Sequence, residues 1–331
     1  MPAPFRIIDT GVREGRANIA FDAALIEERQ ANRVPDTIRF LSFPPTALIG
    51  RHQDLSREID LDYCAKRGIG TVRRITGGGA IYLDEGQLGW ELVFHRASLG
   101  IAALPDLARE ICNAAAAGLQ ALGVDARFRP RNDIEVDGRK ISGTGGFYDG
   151  DVLIYQGTVL VDLNPQRMVS ALRVPQGKLA KRELDSAAQR VVTLKELLGP
   201  KTPDLELIKV ALVKGFKDVL GIEADYGEIT AAEEQLARRF FDEEIGTEEF
   251  LREIDNPAAD EQVLAGSHTG AGGTINAFVK LEGALAGVRL DEDDPAIEQF
   301  FDRTEVDTLS VGPADFKASI ANALEQGAAN G

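Results

Sequence analysis

The sequence has 331 residues, of which 44 % are apolar, and its 53 acidic against 37 basic residues give a net charge of −16. At about 100–200 residues per domain, this length predicts two domains. The negative charge disfavours nucleic acid as a partner, because nucleic-acid-binding proteins usually carry a basic surface.

The elements expected in chain order mix helices and strands without a regular alternation, which is typical of the α+β class. Helices are predicted at residues 17–33, 60–68, 104–123, 193–199, 204–221 and 231–241. Strands are predicted at 36–43, 46–50, 69–75, 88–94, 132–136, 139–143 and, on both sides of the Asp149-Gly150 turn, within 145–164. The Asp137-Gly138 and Asp149-Gly150 pairs are typical of hairpin turns between neighbouring strands. The helix at 231–241 is a candidate for the link to the tail.

Charge divides the chain unevenly. From Glu244 to Gly331 there are 18 acidic and 5 basic residues, so most of the net charge lies in this tail. We therefore predict one domain over residues 1–243 and a second over 244–331, the latter with a helix at 246–255, strands within 273–290 and two further helices.

Neither a membrane anchor nor a disulfide framework is expected. No run reaches the roughly 18 consecutive apolar residues of a spanning helix, and the start "MPAPFRIIDTG" lacks a secretory pattern. The two cysteines, Cys64 and Cys112, are typical of a reducing compartment. We expect a soluble cytoplasmic protein without a membrane partner.

The stretch "RRITGGGAIY" from Arg73 is the first candidate site. Three consecutive glycines cost conformational entropy, but their N–H groups can approach an anionic ligand closely. The alternative is a plain loop between two strands. Arginine side chains bind carboxylates and phosphates well, yet neighbouring residues of a strand point to opposite faces, so at most one of Arg73 and Arg74 is expected to contact the ligand.

The stretch "RNDIEVDGRKISGTGG" is the second candidate. Lys140 follows a hairpin turn, where most lysines are simply solvated, but the small residues after it leave room for a ligand. Asn132 and Asp133 fit turn positions. Asp133 is alternatively a carboxylate for a metal ion that carries nucleotide phosphates. The three histidines are too widely spaced for a zinc site.

These segments together resemble the lipoate–protein ligase family. The matching stretches run in family order from Ile49 to Gly199 and include "IGRHQD", "VRRITGGGAIYLDEGQL", "RNDIEVDGRKISGTG", "QGTVLVDLN" and "KLAKRELDSAAQRVVTLKELLG". The tail stretch "GGTINAFVKLEGALAGVRL" more weakly resembles the small α+β accessory domain that many such ligases carry. The resemblance implies a biotin and lipoate ligase fold, with a mixed β-sheet flanked by helices.

The family activity implied by this resemblance has two steps. Lipoate, or octanoate, attacks the α-phosphate of ATP with Mg²⁺ present and gives an acyl-adenylate. A lysine of an acceptor protein then takes the acyl group. Expected acceptors are a dehydrogenase E2 lipoyl domain, a glycine-cleavage H protein or an H-like lipoate-binding protein of sulfur metabolism.

The resemblance also assigns site residues. Lys140 matches the family's key lysine, an electrostatic clamp on carboxyl and phosphate oxygens, and Asp133 is the candidate for Mg²⁺ through the nucleotide phosphates. Residues expected to bind substrate or adenylate are Arg73, Arg74, Thr76, Gly77, Gly78, Gly79, Ala80, Tyr82, Asn132, Asp133, Ser142, Gly143, Gly157, Thr158, Lys178, Arg190 and Val191.

Several positions depart from the family pattern. Gln156 stands where many relatives have histidine, Leu83 also replaces a frequent histidine, Asp54 replaces a common asparagine, and Gly145 and Gly146 replace alanine or a bulkier residue. These changes leave the length of the acyl chain and the choice of acceptor open.

Three alternatives to a ligase remain. An octanoyl or lipoyl transferase without ATP needs a cysteine thiolate, and the segments around Lys140 contain none. A biotin ligase would carry a Gly-Arg-Gly-Arg-type loop, which is absent. A non-catalytic binding homologue would be expected to lose Lys140 or the glycines. For the tail, a mobile lid is preferred over a rigid acidic appendage.

Overall fold

The protein was analysed as a computed structural model that describes residues 4–101, 104–130, 132–173 and 190–253, together with the backbone of residues 274–281 and 284–291. It divides into two compact units, residues 1–252 and 253–331. The first unit therefore extends nine residues beyond the boundary expected at 243/244. The assignment of the tail as an accessory domain stays a prediction.

Eleven strands are described in the first unit: β1 Phe5–Val12, β2 Thr37–Ser42, β3 Thr46–Ile49, β4 Gly70–Arg73, β5 Ile81–Leu83, β6 Gln87–His95, β7 Arg127–Arg129, β8 Asp133–Val136, β9 Arg139–Asp149, β10 Val152–Leu160 and β11 Ala224–Tyr226. Its helices are α1 Gly15–Gln30, α2 Leu55–Glu58, α3 Leu61–Arg67, α4 Leu104–Ala121, α5 Pro165–Ala171, α6 Leu194–Leu198, α7 Leu205–Leu220, α8 Ala231–Phe240 and α9 Glu248–Arg252, with a 3-10 turn at Gly199–Lys201 and a π turn at Phe241–Ile245.

Eight strands form one mixed sheet in the order β11-β1-β2-β6-β10-β9-β8-β7. β1 runs parallel to β11 and β2, whereas the pairs from β2 to β7 are antiparallel. A small second sheet has the order β4-β3-β5. The expected mixed sheet flanked by helices, and the α+β class, are confirmed.

Helices cover the large sheet. The larger apolar core includes Trp90 of β6, Ile111 of α4 and Phe216 of α7, and a second core includes Ile8 of β1, Phe21 of α1 and Leu236 of α8. Residues 231–240 thus belong to the body of the first unit and do not form a link to the tail. None of the helices in the described ranges is long and apolar enough to cross a membrane.

Local sequence signals explain several element ends. Gly68 follows α3 with φ +64°, the left-handed conformation that suits glycine at a helix C-terminus. Asp137 and Gly138 both have positive φ in the turn between β8 and β9, as the hairpin signal predicts. Thr230 and Glu233 form a capping box at the start of α8.

The described part of the second unit is an antiparallel pair, β12 Thr274–Leu281 and β13 Ala284–Asp291. This pair lies within the range where strands were predicted. The two helices predicted after it lie outside the described residues, as do residues 174–189, which include the first half of the family stretch that begins at Lys178.

Candidate functional site

The triple glycine forms a loop between the two outer strands of the small sheet. We call residues 74–80, which follow β4 and precede β5, the glycine loop. The guanidinium of Arg74 donates to the carbonyl of Gly77 at 2.8 and 3.1 Å and to that of Gly79 at 2.8 Å. Burial lowers the pKa of Arg74 to about 10, so the side chain stays charged at neutral pH. Arg74 therefore holds the loop in shape by taking up its carbonyl groups.

The loop amides remain available. Among the described residues, no acceptor takes the N–H groups of Gly77, Gly78 or Gly79. Gly78 has φ +100°, and a side chain there would begin 2.8 Å from the Arg74 guanidinium. Gly50 lies so close that its Cβ would sit 2.0 Å from the Gly78 carbonyl oxygen. A loop with bound carbonyls and unbound amides is suited to oxygen atoms of an anionic ligand.

Arg73 has a different environment from its neighbour. It is 1 % exposed, and its guanidinium donates to five backbone carbonyls, those of Gly50, Arg51, Gln53, Phe250 and Leu251, at 2.7–3.3 Å. The last two belong to the C-terminal end of α9, where helix carbonyls lack intrahelical partners. The structure thus uses Arg73 as an internal anchor. Of the arginine pair, Arg74 is the one that lies in the loop.

Lys140 stands at the start of β9, opposite β8. Its ammonium lies 2.7 Å from a carboxylate oxygen of Asp133, and the lysine and aspartate side chains are 40 % and 23 % exposed. Gly143 faces Asp133 across the strand pair, and a Cβ on it would lie 2.8 Å from the lysine Nζ. The glycine gives the lysine room to lie across the sheet, which leaves a partly exposed positive charge beside a single carboxylate.

Backbone bonds bring two further predicted residues to Lys140. The lysine N–H donates to the Arg190 carbonyl, and its own carbonyl accepts from the Val192 N–H, each at 2.9 Å, so Val191 forms a parallel bridge with Lys140. Ser142 on β9 is fully buried, and its hydroxyl has no partner in the described part of the chain. Lys178, also predicted to bind the adenylate, lies outside the described residues.

The segment before β8 is locked onto β9. The Asn132 amide donates to the Thr144 carbonyl at 2.7 Å, and the Thr144 hydroxyl donates to the Asn132 carbonyl at 2.8 Å. The same hydroxyl lies 2.8 Å from the Tyr155 hydroxyl and 3.3 Å from the Cys112 sulfur. Asn132 thereby has a structural partner, and the arrangement fixes the position of the next residue, Asp133.

A strip of sheet without large side chains leads away from Lys140. Side chains alternate along a strand, so Gly143 and Gly145 share one face of β9, and Gly145 pairs directly with Gln156 of β10. A Cβ on Gly145 would meet nothing within 4 Å. We call Gly143, Gly145 and Gln156 the bare strip. Its far end reaches the glycine loop, because the Thr76 hydroxyl lies 3.4 Å from the Gln156 amide oxygen.

Other predicted residues are placed away from this strip or at its margin. Gly157 faces the opposite side of the sheet, where its missing Cβ makes room for the Trp90 ring. Tyr82 is 4 % exposed in the apolar cluster under the small sheet, where burial raises its pKa to about 12, and Ala80 packs against the same cluster. Thr158 is half-buried on the same face of β10 as Gln156.

The potential metal ligands near Lys140 are compatible with Mg²⁺ only if substrate phosphates supply most of its ligands. In the described ranges, no group of three or more His, Cys, Asp or Glu side chains could hold a metal ion. Asp133 offers one partly exposed carboxylate next to Lys140. Mg²⁺ commonly takes one or two protein carboxylates and completes its shell with water and substrate phosphates, so a single carboxylate is compatible with it.

Sequence reasoning missed the polar cluster behind the bare strip. The amide nitrogen of Gln156 donates to Asp22 and Glu91, and both carboxylates also contact Arg39. The one signal for this cluster in the sequence was Gln156, which stands where many relatives have histidine. Sequence reasoning also missed Gly50, although it lies in the family stretch "IGRHQD".

Comparisons with known proteins show the family of this chain. Residues 14–217 match the family model of the lipoyl protein ligase A/B catalytic domain. The octanoyltransferase LipM of Kyrpidia tusciae is 29 % identical over 259 residues, which cover 71 % of this chain and 94 % of that protein.

Two solved structures are similar in fold and sequence. The bi-partite lipoate protein ligase of Thermoplasma acidophilum, studied with its E2 lipoyl domain, is 27 % identical with a TM-score of 0.67, covering 79 % of this chain and 99 % of that one. A lipoate-protein ligase A bound with ATP is 28 % identical with a TM-score of 0.66, covering 77 % and 100 %. The chain belongs to the lipoyl protein ligase A/B family, which includes both ligases and acyl transferases.

Proposed function

We propose that this protein is an ATP-dependent lipoate–protein ligase, which activates lipoate as lipoyl-AMP and transfers the lipoyl group to a lysine of an acceptor protein. The observation that carries the proposal is the state of the two cysteines, since the alternative within the family needs a reactive thiolate. Both are described, and both are buried.

Neither thiol is suited to form a thiolate. Burial, with a contribution from Asp60, raises the pKa of Cys64 to about 11. Burial likewise raises the pKa of Cys112, whose sulfur lies within hydrogen-bond distance of Thr144 and Tyr155 on the side of the sheet away from the bare strip. An acyl-enzyme on either sulfur would require the core to open.

The charged groups support adenylation instead. Lipoate attacks the α-phosphorus of ATP through a carboxylate oxygen, the bond to the β-phosphate oxygen breaks, and pyrophosphate leaves. In this proposal the Lys140 ammonium stabilises the charge that develops on carboxyl and phosphate oxygens, and the amides of Gly77–Gly79 bind the oxygens of the acyl-adenylate. The backbone of Arg190 and Val191 lies beside that of Lys140. Mg²⁺, held chiefly by the phosphates and by Asp133, would neutralise the leaving pyrophosphate.

The second step releases AMP. The ε-amine of the acceptor lysine attacks the acyl carbon, loses a proton, and expels the phosphate oxygen of AMP, so that an amide forms. Lys140 forms no covalent bond in this step, and its ammonium again stabilises the negative charge on the reacting oxygens. The acceptor is proposed to be a lipoyl domain or an H-protein-like carrier, in line with the similar ligase that was studied with its E2 lipoyl domain.

ATP–pyrophosphate exchange tests this function. With Mg²⁺ present, exchange is expected with lipoate or octanoate and not with biotin or without acid. The matched comparison is a cysteine-free protein, Cys64→Ala with Cys112→Ser, in which a serine hydroxyl replaces the thiol beside Thr144. A ligase retains exchange and transfer in this variant.

A second function, octanoyl transfer without ATP, is favoured by the similarity to the octanoyltransferase of Kyrpidia tusciae. It predicts transfer from an octanoylated carrier protein without ATP, and loss of that transfer in the cysteine-free protein. That result, with no exchange by folded wild-type protein, would replace the ligase. If neither reaction occurs while lipoate binds, the protein is a non-catalytic binding homologue.

A further inference from the structure

A row of polar side chains crosses the large sheet beneath the glycine loop. Arg39 of β2 pairs with Glu91 of β6, Glu91 pairs with Gln156 of β10, and Gln156 pairs with Gly145 of β9. Direct cross-strand partners share one face of the sheet, so these residues form a continuous line. Arg39 and Glu91 are fully buried, whereas Gln156 is half-buried beside the open space over Gly145.

The buried end of this row fixes the amide of Gln156. Asp22 of α1 joins it there, and Arg39 lies 2.6 Å from Asp22 and 2.9 Å from Glu91. One oxygen of each carboxylate remains, and each accepts a hydrogen bond of 2.8 Å from the amide nitrogen of Gln156. Two carboxylates require the NH₂ group on their side, so the orientation of the amide is determined. Its oxygen consequently faces away from the cluster.

The amide oxygen of Gln156 faces Thr76, the residue that directly precedes the three glycines. The Thr76 hydroxyl donates to it at 3.4 Å, and the Thr76 carbonyl accepts from the Arg51 N–H at 2.9 Å. The bonds of Arg74 to the loop carbonyls are internal to the loop. Among the described hydrogen bonds, the one between Thr76 and Gln156 is the link from the glycine loop to the eight-stranded sheet.

We propose that Gln156 is a positioning residue: the buried Asp22–Arg39–Glu91 cluster aims its amide oxygen at Thr76, and this contact holds the glycine loop so that its unbound amides meet the ligand. The inference rests on the proposed function, in which this loop binds the acyl-adenylate. The hydrogen bond between Thr76 and Gln156 joins two neutral groups and is only partly buried. Its loss from the Thr76 side therefore affects the position of the loop and leaves the ion pairs of the cluster in place.

The test uses variants that break the contact from either side. Thr76→Val removes the hydroxyl and leaves the cluster intact, Gln156→Leu removes the amide, and Thr76→Ser restores the hydroxyl. Thr71→Val on β4 is the matched control, because it makes the same isosteric change two residues before Arg73. The first measurement is amide hydrogen exchange of peptides that span residues 74–82, which requires no catalysis.

A lost neutral hydrogen bond corresponds to a factor of about three to ten. Thr76→Val and Gln156→Leu are each expected to speed exchange in the loop by about that factor. In the loop, the double variant is expected to show no more than Gln156→Leu alone, because the Thr76–Gln156 contact is the loop contact that both changes remove. Gln156→Leu also removes the bonds to Asp22 and Glu91, which lie outside the loop. In pyrophosphate exchange, KM for lipoate rises by about the same factor with kcat nearly unchanged, since loop placement affects ground and transition states alike. Thr76→Ser is expected to restore wild-type loop hydrogen exchange, and the control Thr71→Val to leave both hydrogen exchange and KM near wild type.

Each outcome decides the inference. If Thr76→Val shows the wild-type rate of amide hydrogen exchange in the loop and the wild-type KM for lipoate, the inference is overturned. Additive effects in the double variant also overturn it, as does a lower melting temperature without any change in loop exchange or KM, which would make the cluster purely structural. If wild-type protein catalyses no pyrophosphate exchange, the ligase proposal fails, whereas the hydrogen-exchange cycle still decides the role of Gln156.

Discussion

The glycine loop and the hairpin that carries Lys140 supply opposite kinds of chemistry to the two ends of the bare strip. The loop offers backbone N–H groups, and an internal arginine occupies its carbonyls. The hairpin offers a charged side chain that lies across a glycine next to one carboxylate. The loop therefore depends on backbone shape, while the hairpin depends on the identity of one side chain. Substitutions in the hairpin should therefore mainly reduce activity, whereas substitutions in the loop should mainly reduce stability or loop order.

The largest effect is expected at the hairpin. Lys140→Ala should reduce transfer by about 10²–10³, because a preorganised charge is lost from the reacting oxygens. Its stability should change little, since the lysine is 40 % exposed. Activity and urea unfolding of the same preparation check both points. The control is Lys195→Ala, which removes a lysine that is paired with Asp162 on the surface and is 63 % exposed. Full activity in Lys140→Ala would contradict the assigned role.

Arg73 and Arg74 sharpen the comparison from the loop side. Arg73→Ala removes the guanidinium from five backbone carbonyls in buried and partly buried surroundings, so the free energy of unfolding should fall by about 3 kcal/mol or more. Arg74→Ala should cost less stability, because that side chain is only partly buried, but should disorder the loop and raise KM. Urea unfolding of both variants measures the difference. Equal stability losses would show that Arg73 is not the anchor.

Gly78 and Gly77 give a smaller, local contrast within the loop. Gly78→Ala places a side chain at φ +100° and 2.8 Å from the Arg74 guanidinium, and should cost about 1–2 kcal/mol of stability. Gly77→Ala meets no atom within 4 Å and lacks a positive φ. Its stability is expected to stay close to wild type. Thermal unfolding of the pair decides whether loop shape, or only the small size of glycine, is required.

The most gradual effect concerns the cluster that joins the two regions. Burial, and then the neighbouring charge of Glu91, raise the pKa of Asp22 well above its ordinary value. The folded protein therefore binds this proton more tightly than the unfolded chain, and the contribution to stability declines as pH rises above about 4. Asp22→Asn removes this decline.

The measurement is the difference in unfolding free energy between Asp22→Asn and wild type as a function of pH. It should grow in favour of the variant from about pH 4 upward. A difference that is independent of pH would mean that the pKa of Asp22 is not raised in the folded protein.

Local signals in the sequence carried the prediction of the fold. The hairpin at Asp137-Gly138, the C-terminus of α3 at Gly68 and the mixed sheet follow from turn chemistry and periodicity. The role of Arg73 did not, because its five acceptors include residues some 177 positions away in sequence. The Asp22–Arg39–Glu91 cluster did not either, since pairing of distant strands brings those charges together. The first unit reaches Arg252 for the same reason: α9 is anchored by a residue of β4.

The anchoring of α9 has a mechanical consequence. The Arg73 guanidinium donates hydrogen bonds to the carbonyls of Phe250 and Leu251, just before the first unit ends at Arg252. In sequence, Arg73 directly precedes the glycine loop. Tension applied to the chain beyond Arg252 is thus delivered to the root of the loop. By reciprocity, a ligand that binds the loop more tightly while α9 is docked raises the force at which α9 detaches. Pulling on the C-terminus in an optical trap, with and without lipoate and ATP, would read ligand occupancy as a change in rupture force.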